Sequence, residues 1–314
     1  MKQPLAVIAI GGNSLILDSK KITVADQYHA ASETSHHVAA LVAAGYRVVV
    51  THGNGPQVGF ILLRSDLARN VLHEVPLDSC VADTQGALGY QIGQTLDNEL
   101  RRRRIRKAIA TVVTQVLVDK NDPAFSNPTK PIGSFYTEAE AQKHQAESGW
   151  TLKEDAGRGW RRVVASPKPL KIIEENTIKL LLDQDVIVIA GGGGGIPVRE
   201  NEQGNLEGCA AVIDKDLASC LLAKNLQADL FIISTGVDKV AVDFKKPTQR
   251  FLDHLTVAEA KKYLAEGQFP AGSMGPKIEA AIDFLEHGGK KVIITQPFLL
   301  EEAIAGRNGT HIVP

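Results

Sequence analysis

Three short aliphatic runs in this chain each break off at a glycine turn, and that repetition restricts the fold more than any other feature of the sequence. Leu5 to Ile10 ends at Gly11-Gly12-Asn13-Ser14. Arg47 to Thr51 ends at His52-Gly53-Asn54-Gly55-Pro56-Gln57, and Val186 to Ala190 ends at Gly191 to Gly195. Continuous apolar runs of this length suit strands buried on both faces. Glycine lets bare backbone N–H groups approach a ligand, and a nest of such groups favours an anion. One such turn is ordinary punctuation. Three predict a single crevice along the carboxyl edge of a parallel sheet, where open α/β sheets bind their ligands.

The stretches between the turns fit that picture. Residues 25–44 predict a helix that stops at Gly45, with Val38, Leu41 and Val42 on one stripe. Further helices are expected around 58–70, 85–104, 138–147, 172–182, 217–226, 256–266 and 278–287. Strands are expected at 109–115, 230–234, 292–295 and 311–313, with a hairpin at 197–208. Strands alternating with helices predict a layered αβα sandwich with a mostly parallel central sheet. The exception is about 119–166, which is polar, rich in proline, and holds both tryptophans, Trp150 and Trp160. It predicts a small protruding subdomain, a lid of the kind that excludes water on closure. The expected organisation is one α/β domain over 1–314 carrying that insertion.

Composition removes several function classes. A formal net charge of −1 gives no long-range pull toward nucleic acid or an anionic membrane. The basic run Arg101 to Arg104 reads instead as a solvated helix end whose cations complement the macrodipole. Cys80, Cys209 and Cys220 are odd in number and lack metal-type spacing, which points to a reduced, cytoplasmic setting. His36 and His37 are adjacent and so point apart on a helix. No run approaches the roughly 20 apolar residues of a membrane span, and no signal-type segment precedes the first strand.

The turns do not spell a known nucleotide fingerprint. G-x-x-x-x-G-K-[ST] is absent, and counting G-x-G-x-x-G from Gly191 or Gly193 puts Ile196 or Val198 where the last glycine belongs. A nicotinamide dehydrogenase is therefore disfavoured. What remains is glycine nests plus lysines in unusual company. Lys215 lies between Asp214 and Asp216 after an apolar run taken as a strand. Lys277 sits in a Gly-Pro turn at a helix N-terminus, and Lys130 lies in the lid. Phosphoryl transfer needs this combination, because its transition state spreads negative charge and catalysis is mostly positioning and neutralisation. Aspartates would hold the lysines or arrange Mg2+ and its waters.

On these residues the chain resembles the carbamate kinases of the amino-acid kinase superfamily, essentially end to end. The resemblance is carried by Ile10-Gly11-Gly12-Asn13, by 51–59 (THGNGPQVG), by 118–123 (VDKNDP) and by 127–133 (NPTKPIG). It continues in 154–162 (EDAGRGWRR), 211–218 (AVIDKDLA) and 271–277 (AGSMGPK). It implies the reversible reaction ATP + carbamate ⇌ ADP + carbamoyl phosphate, with Mg2+, in a cytoplasmic homodimer. Gly11, Gly12 and Asn13 would receive the moving phosphoryl group, and Gly53, Asn54 and Gly55 would cradle carbamate. Lys215, Lys130 and Lys277 would neutralise charge, oriented by Asp214 and Asp216. The nucleotide would lie against Gly193, Gly194, Thr235, Val237, Val240, Met274, Gly275 and Lys277. Metal ligands stay open.

This chain departs from the family pattern at three places. Gly236 stands where many members carry aspartate, so a carboxylate near the nucleotide is missing unless Asp238 substitutes, and Cys80 to Gln85 differs from the expected segment and makes Asp83 a candidate for the substrate side. The third turn has five consecutive glycines. Two alternatives remain: a kinase for another small carboxylate or carbamate, and a low-turnover sensor of nucleotide or carbamoyl phosphate.

Overall fold

The fold was obtained as a computed structural model, which describes residues 3–16, 22–155, 157–270 and 272–314, without the side chains of Asn13 and Ser14. Leu5–Ile10 (β1) passes through a single 3-10 turn, Gly12–Leu15, to Val24–Ala43 (α1). Arg47–His52 (β2), Gly55–Ala68 (α2), Leu77–Arg102 (α3) and Ile109–Thr111 (β3) follow. Next come Gln115–Val118 (β4), Lys130–Tyr136 (β5), Glu138–Ser148 (α4), Leu152–Glu154 (β6), Trp160–Val164 (β7) and Pro169–Ile172 (β8). Glu175–Asp183 (α5) leads to Ile187–Ile189 (β9), the hairpin Ile196–Glu200 (β10) and Leu206–Gly208 (β11), and Lys215–Asn225 (α6). The rest is Leu230–Ser234 (β12), Val240–Val242 (β13), Arg250–Leu252 (β14), His254–Thr256 (β15) and Val257–Ala265 (α7), then Gly275–Glu286 (α8), Lys291–Thr295 (β16), Leu300–Ile304 (α9) and Thr310–Val313 (β17).

The main sheet runs β15-β17-β16-β12-β1-β2-β9-β3. β1 lies between β12 and β2, parallel to both, with Ala6 beside Leu230 on one side and Val48 on the other. One neighbour pair, β16 with β17, is antiparallel. Residues of β1 alternate between two cores. Leu5, Val7 and Ala9 face the core shared with α5, α6, α7 and α8, while Ala6, Ile8 and Ile10 face the one shared with α1, α3 and α9. Burial on both faces explains why the run is apolar throughout instead of alternating. The predicted αβα layering and mostly parallel sheet are therefore observed.

Several local expectations change. The single strand expected at 109–115 is two strands in two sheets: β3 edges the main sheet, and β4 joins a second sheet of order β11-β10-β4-β8. α3 begins at Leu77 rather than 85, so the departing segment Cys80 to Gln85 is helical. The helix expected from 172 starts at Glu175, after the edge strand β8. The apolar run before Lys215 is not a strand; it makes one isolated bridge, Ala165 to Ala211. Lys215 is instead the first residue of α6, and Asp214 is its N-cap, accepting from Asp216 N–H at 2.9 Å. An aspartate at that position satisfies otherwise orphaned backbone donors, which fixes where the helix begins. The hairpin β13–β14, β15 and α9 were not anticipated.

The polar insertion contains the three-stranded sheet β5-β7-β6 and α4. Its root rests on α2 and α3, where Ile132 and Val164 share a core with Val58, Leu77, Cys80 and Val81. Among the described residues no helix is long and apolar enough to cross a membrane.

Candidate active site

A cavity of about 580 Å³ opens along the carboxyl ends of β1, β2 and β12. Two glycine turns form one end of it. Gly11 N–H donates to Ser234 O at 3.0 Å and Gly53 N–H to Ile10 O at 2.8 Å, so each turn is tied to the neighbouring strand end. The turns then touch backbone to backbone. A Cβ on Gly53 would lie 2.6 Å from Gly12 N, which leaves room for glycine alone. Asn54 N–H and Gly55 N–H, at the start of α2, have no hydrogen-bond partner among the described residues. Orphaned donors at a helix start are suited to an anion.

The third turn wraps over the second. A Cβ on Gly193 would lie 2.1 Å from Asn54 Nδ2, one on Gly192 2.5 Å from His52 Nε2, and one on Gly194 2.4 Å from Ile213 O. Close approach at 192–195 and a left-handed backbone at Gly191 (φ 62°) account for the unbroken run of glycines. Asn54 is steadied by donation from Nδ2 to Thr84 Oγ1 at 2.8 Å. Gln85, also fully buried on α3, donates from Nε2 to Gly192 O at 2.9 Å and accepts from Thr114 N–H at 2.7 Å. Neither α3 residue was foreseen; both lie within the segment that departs from the family pattern.

The lysines converge as expected from their chemistry. Lys215 Nζ lies 2.6 Å from Asp216 Oδ1, and Lys277 Nζ lies 2.7 Å from Asp216 Oδ2. Lys130 Nζ reaches from β5 to Asp214 Oδ2 at 2.9 Å. All three lysines and both aspartates line the cavity. Burial opposes ionisation of Asp216, yet the attraction of Lys215 and then Lys277 holds its carboxyl down at about 2. Burial also pulls the Lys215 ammonium below the ordinary lysine range, and Asp216 only partly offsets this. A cation kept partly desolvated meets added negative charge strongly.

The other end of the cavity is apolar. Thr235, Val237 and Met274 line it as expected, together with Phe244 and Phe251 of the β13–β14 hairpin and Gln268, which the sequence did not single out. Gly193 lines the middle. Gly194, Val240 and Gly275 do not reach the cavity. Gly194 packs on Ile213 O, Val240 is fully buried, and Gly275 sits beneath Pro270 O. The Asn13 side chain lies outside the described part of the structure, although its backbone belongs to the first turn. Asp83 is exposed on α3 away from the cavity, so it is not on the substrate side. Asp238 accepts from Gln296 Nε2 at 2.6 Å and does not take the place of the missing carboxylate at Gly236, where a Cβ would meet nothing within 4 Å.

Other sequence features resolve as structural. Arg101 pairs with Asp97 while Arg102 and Arg103 pair with Glu99, and all three cysteines are free and buried. Among the described residues no group of three or more His, Cys, Asp or Glu is placed to hold a metal.

Comparison with known proteins agrees with this geometry. The profile of the amino acid kinase family matches residues 4–296. A carbamate kinase-like protein of Escherichia coli strain K12, YahI, is 50% identical over 312 residues, covering 98% of each chain. A carbamate kinase of Thermococcus kodakarensis is 49% identical over 310 residues, again covering 98% of each. Among solved structures, a carbamate kinase from Giardia lamblia bound to AMP-PNP superposes with a TM-score of 0.93 at 44% identity, covering 99% of this chain and 98% of that one.

Proposed function

We propose that this chain, which belongs to the amino acid kinase family and within it to the carbamate kinases, catalyses ATP + carbamate ⇌ ADP + carbamoyl phosphate. The observation that carries the reading is the meeting of Lys130, Lys215 and Lys277 with the glycine turns in one cavity. A carbamate oxygen attacks the γ-phosphorus, the bond from that phosphorus to the β–γ bridging oxygen breaks, and ADP leaves with the electron pair. Carbamate already carries an anionic oxygen, so no base is required.

In this reading Asn54 and Gly55 N–H groups cradle the acceptor end, and the Gly11–Gly12 turn receives the moving phosphoryl group. Lys215 meets charge that develops on the phosphoryl oxygens, Lys277 serves the nucleotide phosphates, and Lys130 closes from the insertion. Asp216 holds two of these ammonium groups at fixed positions, so little reorganisation is needed during transfer. The base lies at the apolar end, against Val237 and Met274. Mg2+ enters as part of the Mg–nucleotide substrate, held largely by phosphate and water; the site carboxylates are already engaged by lysines and backbone donors. Residues 119–166 act as a lid on the one domain. Three buried thiols suit a reducing cytoplasm, and a homodimer is the assembly that the family resemblance implies.

The test is a coupled assay for ATP formed from Mg-ADP and carbamoyl phosphate, with acetyl phosphate as control. Carbamoyl phosphate should be used far better. Equal use of both would point to a general small-carboxylate kinase, and use of neither to a sensor.

A further inference from the structure

His52 is 1% exposed and sits between the second and third glycine turns, yet nothing above gives it a task. Its ring packs under Gly192, where a Cβ would come within 2.6 Å of both Cε1 and Nε2. Its Nδ1 lies 3.0 Å from Gly53 O. A carbonyl oxygen only accepts, so this ring nitrogen carries the proton. Burial, helped by nearby Lys215 and opposed by the Gly53 contact, holds the ring at about 4, so it is neutral at physiological pH.

The Gly53–Asn54 peptide is trans, and in a trans peptide C=O and N–H point in opposite directions. Anchoring Gly53 O on the His52 ring therefore turns Asn54 N–H away from the ring. That nitrogen lies against the Gly11–Gly12 turn, 3.6 Å from where a Gly12 Cβ would be, and has no partner among the described residues. Glycine at 53 has wide conformational freedom, so the peptide would otherwise sample other orientations.

We propose that His52 is a positioning residue for phosphoryl transfer: its Nδ1–H, donated to Gly53 O, fixes the Gly53–Asn54 peptide with Asn54 N–H facing the reacting oxygens. The inference rests on the phosphoryl-transfer reading above. Its contrast is a ring that merely fills space beneath Gly192.

Two substitutions separate the roles, because an Asn amide nitrogen superposes on Nδ1 and a Gln amide nitrogen on Nε2. His52→Asn keeps the donor to Gly53 O but leaves a gap under Gly192. His52→Gln fills the gap and loses the donor. The assay is ATP formation from Mg-ADP and carbamoyl phosphate, with Mg-ADP Kd and the thermal midpoint measured beside it. The expected result is a crossover. His52→Asn has the lower midpoint but keeps kcat within about fivefold, while His52→Gln loses about 10²-fold in kcat with unchanged Mg-ADP Kd, the range for one preorganised donor. Activity that follows the thermal midpoint, or equal kcat in the two variants, would overturn the positioning role. A wild-type protein without turnover would instead defeat the underlying reading, so the two failures are distinguishable.

Discussion

Replacing Asp216 by Asn removes one charge from the centre of the site with almost no change in shape. Asp216 is 3% exposed and carries both Lys215 and Lys277 on its two oxygens. Its carboxyl sits at about 2 instead of the ordinary 3.8. That depression contributes about 2 kcal/mol of stability at neutral pH, present above 3.8 and lost as pH falls through about 2. The substitution also strands two ammonium groups, so the total loss should approach the roughly 3–5 kcal/mol typical of a broken buried pair. For a chain of this size the thermal midpoint should drop by roughly 5–10 °C. The functional consequence has its own signature. Burial already draws Lys215 down, and without Asp216 the ammonium gives up its proton more readily. Turnover that needs the charged form should then fall as pH is raised from 6 to 9, more steeply than in the wild type, and recover at the acidic end. The measurements are a pH series of kcat and thermal scans on both proteins. A variant that is less stable but whose pH–kcat curve keeps the wild-type shape would refute the reasoning, because Asp216 would then be structural only.

Lys215→Met should lower kcat by about 10²–10³ while nucleotide Kd changes much less, since the interaction is strongest in the transition state; a near-normal kcat would exclude Lys215 from catalysis. Hydrogen exchange across residues 119–166 should slow when Mg-nucleotide and a carbamoyl-phosphate mimic bind together, and unchanged exchange there with slowing elsewhere would count against a closing lid. His52 is held near 4 by burial, against an ordinary 6.5, so the unfolded chain takes up a proton that the folded one refuses. Stability present above pH 6.5 should therefore be lost as pH falls toward 4, by about 3 kcal/mol from this group. His52→Asn should flatten that part of the urea-midpoint profile, and an unchanged slope would show that other groups carry it.

The layered architecture was legible because both of its signals are local. Doubly buried strands read as unbroken aliphatic runs, and glycine turns mark where they end. The lysines were legible for a similar reason, since Lys215 between two aspartates is chemically conspicuous. Their partnerships were not. Spacing along the chain cannot show that Lys277 reaches Asp216, 61 residues away, and shares it with Lys215. The misread strand before Lys215 has a physical cause. Ile213 is apolar because it packs on Gly194, Val212 because it packs against the core of Val58, Leu77 and Ile132, and no strand pairs with the run beyond the bridge at Ala211. The aromatic wall escaped notice because Phe244 and Phe251 sit on a short hairpin in a polar stretch that carries no periodicity. Gln85 and Thr84 escaped for the opposite reason: inside a helix with many small residues, a buried polar side chain looks like any other.

The contact between the first two turns, with Gly53 against Gly12 and no side chain between them, has a bearing on how such a protein can diversify. In the reading proposed above, the surface offered to the small substrate is made largely of peptide groups, which every amino acid shares. Point mutation can distort that surface but cannot recolour it with a new functional group without prising the turns apart. The far end is different, being built from the replaceable side chains of a hairpin and open at Gly236. Drift and directed selection alike should therefore retune the choice of nucleotide base long before they change the acid that is phosphorylated.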